Sequence, residues 1–236
     1  MTLLSVVKDV CAAVGVAVPT SVFVNITANR TMQEMLALAN EMAQRIAYDT
    51  RDWTRFKKIQ TFTGDNTKIA FDLPANYKRM LLTANVWRST STQQPMTFVP
   101  DLDQWMSRRA QGWYGPWGEW TMVGGQMLIQ PVMGAGITAT FAYIDKNCIA
   151  LNGGGVGDTF VDDGDSYLLD ERLLKLGMVW QWKASKGTSY QEDLGTFGDA
   201  LTTAMGKDSP APIIIGSGPS SGSLRANVAY PWPVPT

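Results

Sequence analysis

Residues 31–56 have the sequence TMQEMLALANEMAQRIAYDTRDWTRF, which predicts a long amphipathic helix that ends in an aromatic turn. Thr31 and Glu34 have the spacing of a capping box, in which each side chain satisfies a backbone N–H group at the helix start. Trp53 and Phe56 follow the last helical turn, so we expect them to mark a junction in the fold. The apolar residues that recur at helical spacing and form one face are Met32, Met35, Ala39, Met42, Ala43, Ile46 and Ala47.

Three further helices are predicted, one before this helix in the sequence and two after the β-rich region. Residues 3–14 are helical in pattern, and Gly15 follows at a position suited to a left-handed cap. Ser189 and Glu192 form a second capping box, which predicts the start of the last helix. Between them a third helix, closed by Gly187, carries a stripe made of Leu169, Leu173, Leu176, Trp180 and Ala184.

The period of the pattern changes from helical to two between these helix pairs, which predicts strands. Residues 58–63 and 68–71 alternate around the turn sequence GDNT, and this predicts a hairpin. Gly124-Gly125 predicts a second hairpin between residues 120–123 and 126–130. The same region is expected to hold further strands at residues 79–88 and 137–145, a short helix at 100–110, an aromatic loop at 112–120 and a polar loop at 147–166.

These elements predict an α+β fold: a four-helix bundle, two helices from each half of the chain, with an inserted β-rich domain and an extended C-terminal arm. Packing both helix pairs together is the economical way to bury their apolar stripes. The predicted divisions are residues 1–57 for the first two helices, 58–148 for the β-rich domain, 149–206 for the loop and last two helices, and 207–236 for the arm. The arm is rich in Pro, Gly and Ser, which is typical of an extended segment.

The composition limits the classes of function. The formal net charge is −1, so no overall basic field recruits nucleic acid. No long apolar run or basic leader is present, and we therefore expect neither a membrane span nor a signal peptide. Two cysteines, Cys11 and Cys148, lie in apolar surroundings and are expected to be buried thiols.

The chain contains no histidine, which removes Ser-His-Asp and Cys-His catalysis and histidine metal sites. Asp162, Asp163 and Asp165 do not have the spacing of a calcium loop, and we interpret them as an acidic turn near the start of the third helix. The glycines at 153–157 lack the Lys-Ser/Thr of a phosphate-binding loop. Arg108 and Arg109 lie among aromatic residues, as in sites that bind single-stranded nucleic acid. Two arginines provide little positive charge for such a site, and we interpret the region as packing or a protein interface. We expect no enzyme activity, catalytic residue, metal or cofactor.

Four segments resemble the adaptor, or head-to-tail connector, proteins of tailed double-stranded DNA phages. LLSVVKDVCAAVG is similar to the family's opening helix, and MLALANEMAQRIAYDTRDWTRF to its second helix with the tryptophan that ends it. FTGDNTKIAFDLPANYKRML is similar to its hairpin and following strand. FVDDGDSYLLDERLLKLGMVWQWKASKGTSYQEDLGTF is similar to its acidic turn and last two helices. The resemblance covers about residues 3–205, whereas the C-terminal arm has no pattern to match.

The resemblance implies a structural virion protein at the capsid–tail junction, made in the host cytoplasm. Such proteins form a ring, commonly of about twelve copies joined head to tail, which docks on the portal ring and carries the tail or nozzle protein. Genomic double-stranded DNA passes through the lumen without specific binding, and no membrane is involved. A near-neutral charge is compatible with a channel that must not hold DNA tightly.

Two sets of residues are candidates for these contacts. An arm of about 30 residues spans at most roughly 100 Å, enough to reach a neighbouring copy or a portal cleft. We expect it to bind portal through Ile213, Ile214, Ile215, Arg225, Tyr230 and Trp232. The subunit or tail interface is expected to use Trp105, Trp113, Tyr114 and Trp117. The alternative function is a carbohydrate- or surface-binding module that uses the same tryptophan-rich region.

Overall fold

The structure is a computed structural model, and it describes residues 2–24, 26, 29–82, 84–90 and 94–208. These residues include five α-helices: α1 (Leu3–Val14), α2 (Arg30–Gln44), α3 (Leu102–Gln111), α4 (Glu171–Ser185) and α5 (Gln191–Asp208). The strands are β1 (Lys57–Thr63), β2 (Ala70–Asp72), β3 (Tyr77–Met80), β4 (Trp87–Arg88), β5 (Thr97–Phe98), β6 (Glu119–Val123), β7 (Gln126–Gln130), β8 (Thr138–Asp145), β9 (Ile149–Ala150), β10 (Val156–Gly157) and β11 (Ser166–Tyr167).

The fold is α+β, but the predicted four-helix bundle is wrong. Helix α4 lies in the middle, and α1, α2 and α5 each pack against it. Within the described ranges, α1, α2 and α5 make little contact with one another, so the four helices do not close around a shared axis. The reason is visible along α4, which is buried on several sides: Leu173, Leu174, Gly177, Met178, Val179 and Trp182 are its buried residues.

The predicted long helix over residues 31–56 is also shorter than expected. It begins at Arg30, because the side chain of Asn29 rather than Thr31 accepts from the N–H of Met32. The α-helical part ends at Gln44, and one π-helical turn, Arg45–Asp49, follows it directly. The apolar face is confirmed, since all seven of its predicted residues are buried. Glu34 does not complete a capping box; its carboxylate instead accepts from Arg30 and Lys186.

The predicted hairpin between residues 58–63 and 68–71 is wrong, because β1 and β2 belong to different sheets. In the first sheet, β8 lies between β1 and the β3 and β4 strands. In the second, the order is β2-β7-β6-β5. A turn does follow β1, where Asp65 accepts from the N–H groups of Thr67 and Lys68. Gly64 holds the chain against the loop before β8, since a Cβ there would lie 2.5 Å from Met133 Cβ.

Other sequence predictions for the β-rich region are confirmed. Strands β6 and β7 form the hairpin around Gly124-Gly125, and both glycines have positive φ. Strand β8 covers nearly all of the predicted residues 137–145. Helix α3 begins after the cap Asp101. The predicted strand at 79–88 is instead divided into β3 and β4.

The polar segment at 147–166 is more ordered than a loop. Strands β9, β10 and β11 form a small antiparallel sheet that spans this segment and ends one residue beyond it, at Tyr167. The acidic turn does not lie at the start of α4 but at the start of α1, where the N–H groups of Leu3 and Leu4 donate to the carbonyl oxygens of Asp165 and Asp163. The backbone of this acidic turn therefore binds the start of the first helix, and α4 is capped separately by Asp170.

Buried apolar residues form two clusters, one in the helical part and one in the β-rich part. The helical cluster includes Trp53 and Phe56, and it also includes Ile144 near the end of β8 and Cys148 shortly after that strand. Both cysteines are free and buried, as predicted. The described helices include none that is long and apolar enough to cross a membrane.

Candidate functional site

The aromatic residues predicted to form an interface do not share one environment. The ring of Trp105 is only 2% exposed, because α3 turns it into the protein. It therefore offers no contact surface to a partner. Trp113 is 62% exposed, while Tyr114 and Trp117 are half-buried. Trp113 is thus the member of the set most available for binding.

The loop that carries Trp113 is held by a buried carboxylate, Glu119, at the start of β6. Its side chain is 1% exposed and forms an ion pair with Arg108. It also accepts from the N–H of Gly115 at 3.3 Å and from the amide of Gln130 at 3.0 Å. These bonds satisfy the charge that burial would otherwise destabilise.

Arg108 joins this ion pair to the exposed aromatic ring. Its guanidinium carbon lies 5.4 Å from the centre of the Trp113 ring, which is a cation–π distance. The ring is therefore positioned by Glu119 through Arg108. Glu119 was not among the residues predicted from the sequence. The available signal was its position between Trp117 and Trp120, eleven residues after Arg108.

Further large apolar side chains are exposed near Trp113 in the sequence. Leu102 and Met106 lie one turn apart on α3, and each is more than 40% exposed. Phe98, in the edge strand β5, is 50% exposed and packs its other side on Trp120. We call Phe98, Leu102, Met106 and Trp113 the apolar surface.

A second candidate region lies where α5 ends. The N–H of Thr54 donates to the carboxylate of Asp208 at 3.0 Å, and the Thr54 hydroxyl donates to its carbonyl oxygen at 3.2 Å. Arg51 adds an ion pair with Asp208 at 3.7 Å. Because of these contacts, residue 208 is fixed beside the segment that leads into β1.

That segment is the aromatic turn predicted to be a junction, and its contacts reach both parts of the fold. Trp53 is 3% exposed and donates its indole N–H to the carbonyl of Ile46 at 2.7 Å. Asp52 forms an ion pair with Arg79 of β3. The turn thereby connects the helical core to the first sheet.

A groove of about 730 Å³ opens beside this junction, between α4 and α5. Trp53 and Leu173 provide apolar walls. Its charged residues are balanced in sign: Arg55, Arg172 and Lys207 against Asp170, Asp199 and Asp208. This balance suits a polypeptide segment with few charges better than a strongly charged ligand.

The acidic turn has a structural role. Asp165 is fully buried and accepts from the N–H groups of Asn152, Val161 and Asp162. Asp163 accepts from Ser21 and Val22, which ties the segment after α1 to the turn. In the part of the chain that is described, no group of three or more His, Cys, Asp or Glu residues is arranged to hold a metal ion.

The thiol of Cys148 lies close to Tyr48 and Tyr167 in the helical core. Burial raises the pKa of Cys148 to about 11. Burial also raises the pKa of Tyr167 well above its ordinary value. The thiol is therefore protonated and inert at neutral pH.

The predicted portal-binding residues lie outside the described residues; they are Ile213, Ile214, Ile215, Arg225, Tyr230 and Trp232.

Comparison with known proteins identifies no relative that would assign a role to either candidate region. No family model matches the chain, and no curated protein matches it significantly.

Proposed function

We propose that this chain is a structural virion protein, a head-to-tail adaptor that assembles into a ring, docks on the portal and links it to a tail or neck component. The observation that carries the proposal is the fixed exit of the C-terminal arm. Asp208 is bound by Thr54 and Arg51 at the junction between the helical core and the first sheet. An arm leaving a rigid point loses less entropy on binding than one leaving a frayed helix.

The apolar surface supports the assembly part of the proposal. A closed ring of identical copies uses head-to-tail contacts, so each copy needs two unlike faces. The apolar surface supplies one candidate face on the β-rich part, and the groove beside α5 supplies a different one on the helical part. Their chemistry differs: the apolar surface has two aromatic and two aliphatic side chains, whereas the groove has charged residues of both signs.

The proposal is tested by truncating the chain after Asp208 and sedimenting it with portal rings. Asp208 is retained because its contacts close the end of α5. The truncated chain is expected to keep its circular dichroism spectrum and to lose attachment to the portal. A full-length chain with a scrambled sequence at 209–236 is the matched control, and it is also expected to stay in the supernatant. Undiminished co-sedimentation of either variant would contradict the proposal.

A second candidate function, glycan or surface binding, is favoured by the exposed Trp113 ring. The two functions differ in what changes tryptophan fluorescence. A glycan-binding module would shift its emission on addition of oligosaccharides and lose the shift in Trp113→Ala. An adaptor would show no such shift, and its emission would change on addition of portal rings.

A further inference from the structure

Helix α3 presents an exposed face that is apolar in the middle and charged at both ends. Leu102 and Met106 lie one turn apart and are 41% and 52% exposed. Asp103 and Arg109 are exposed as well, and each lies three residues from Met106, one before it and one after it. Residues three and four apart share a helix face, so an acid and a base flank the apolar side chains.

The groove between α4 and α5 has the same kind of pattern on its α5 side. Its lining residues there include Ala200 and Ala204, which lie one turn apart on one face of the helix. Such small side chains allow another helix to approach closely. Asp199 precedes these alanines, Lys207 follows them, and both charged side chains are exposed. This side of the groove is therefore also apolar in the middle, with an acid towards one end and a base towards the other.

The end of the groove that holds Lys207 is basic overall. Arg55 lies there, because the residue before it binds Asp208. A short connection joins α4 and α5 as an antiparallel hairpin, so the start of α4 brings Arg172 and Asp170 to the same end. Three basic side chains therefore accompany two carboxylates at this end, and both carboxylates already accept from backbone N–H groups.

The two charge patterns are complementary when the helices run in opposite directions. At 1.5 Å per residue, Asp103 and Arg109 are about 9 Å apart along α3. On the same basis, Asp199 and Lys207 are about 12 Å apart along α5, and flexible side chains cover the difference of about 3 Å. Antiparallel docking brings Arg109 to Asp199 and, at the other end, brings Asp103 to the basic group. Parallel docking would bring like charges together, which costs affinity.

Within one molecule, α3 and the groove do not cover each other. Leu102 and Met106 are exposed in the same structure in which the groove is open. The groove volume of about 730 Å³ lies in the range of about 300–1,000 Å³ that is typical of ligand pockets. It suits a few side chains of one helix face, which is how an amphipathic helix binds in a groove. A second copy of the chain supplies such a helix, with complementary charges.

We infer that α3 of one copy docks antiparallel in the groove between α4 and α5 of a second copy, with Leu102 and Met106 as its apolar anchors. The inference rests on the proposed function in one respect, since it assigns the contact between copies that a ring requires. Two different faces meet, so each contact leaves a free groove on one copy and a free α3 on the other. The same contact therefore continues from copy to copy, as a head-to-tail ring requires.

Charge reversal in the full-length chain tests the inference, with self-association measured by sedimentation velocity over a range of concentrations. Arg109→Asp and Asp199→Arg are each expected to weaken self-association at least about tenfold, because each brings like charges together. The double variant restores opposite charges and is expected to associate like the wild type. The matched control is Glu192→Arg, which reverses an exposed charge on α5 outside the groove and is expected to change nothing. Equal weakening in the control, no recovery in the double variant, or a wild-type chain that stays monomeric would overturn the inference.

Mixing the two single variants shows whether the contact joins different copies. In the mixture, Arg109 of one variant meets Asp199 of the other, and the two introduced charges are also opposite in sign. An equimolar mixture of Arg109→Asp and Asp199→Arg is therefore expected to associate although neither variant does so alone, and a monomeric mixture would overturn the inference. No portal ring is present in these measurements, so their failure is distinguishable from a failure of portal docking.

Discussion

Trp53 is the residue on which the connection between the helices and the sheets depends most. Its ring is buried in the helical cluster, its indole N–H donates to the carbonyl of Ile46 in the π-helical turn, and the guanidinium carbon of Arg51 lies 5.7 Å from the ring centre. The sequence predicted that Trp53 marks a junction, because an aromatic followed directly after a long apolar period. The sequence could not indicate that Asp208 contacts the residues on either side of Trp53, Arg51 and Thr54, because contacts between distant segments leave no local pattern.

We expect Trp53→Ala to lower the free energy of unfolding by about 3–5 kcal/mol, because it leaves a large cavity and removes a buried hydrogen bond. Chemical denaturation measures this loss. Trp113→Ala is the matched control, and we expect a change within about 0.5 kcal/mol because that ring is exposed. Similar losses in the two variants would contradict the described burial.

Cys148 predicts a pH dependence of stability. Its folded pKa, about 11, lies above the ordinary value of 9.0, so the folded state holds the proton more tightly than the unfolded state. Stability from this group is therefore complete below about pH 9 and is lost as the pH rises towards 11, by about 1–3 kcal/mol. In Cys148→Ala, the fall in unfolding free energy between pH 8.5 and 10.5 is expected to be smaller. An unchanged slope would mean that the thiol is not buried as described.

At the scale of elements, local signals were sufficient for some boundaries and insufficient for pairing. The helix at residues 3–14, the Gly124-Gly125 hairpin and strand β8 were predicted correctly, because caps, two-residue turns and β-branched alternation act locally. The hairpin around Asp65 was wrong although the turn exists. What separates β1 from β2 is the close packing of Gly64 on Met133, a contact between segments far apart in sequence.

The packing around α4 predicts opposite effects at two glycines. A Cβ on Gly177 would lie 2.4 Å from the Met42 side chain, where α2 approaches α4, whereas Gly198 on α5 has nothing within 4 Å. Gly198→Ala is expected to stabilise the chain by about 0.5–1 kcal/mol through helix propensity. Gly177→Leu is expected to cost at least about 2 kcal/mol because the buried core is overpacked. Thermal and urea unfolding measure both, and a neutral Gly177→Leu would show that α2 does not pack on α4 there.

At the scale of the whole molecule, the α+β class was predictable but the helical arrangement was not. Leu176 and Trp180 belonged to the expected stripe of α4, yet both are only half-buried, while Leu174 and Val179 are buried. A single stripe is the pattern of a helix with one neighbour or a bundle seam. Among the described residues, helix α4 packs against three other helices and also contacts β11, and the sequence of one helix does not indicate how many elements surround it.

The candidate site divides in the same way between local and distant contributions. Exposure of Trp113 agrees with an aromatic loop, whereas burial of Trp105 depends on how the rest of the chain packs around α3. The position of the arm's exit depends on Thr54 and Asp208, which are 154 residues apart. This exit point and the apolar surface together support a protein that functions by assembly.

Negative-stain electron microscopy of the chain mixed with portal rings tests the central claim, assembly on the portal, most directly. The account predicts a second ring stacked on one end of each portal, with a continuous central channel. The chain truncated after Asp208 is predicted to leave the portals bare in the same experiment. Bare portals with the full-length chain present in excess would contradict the account.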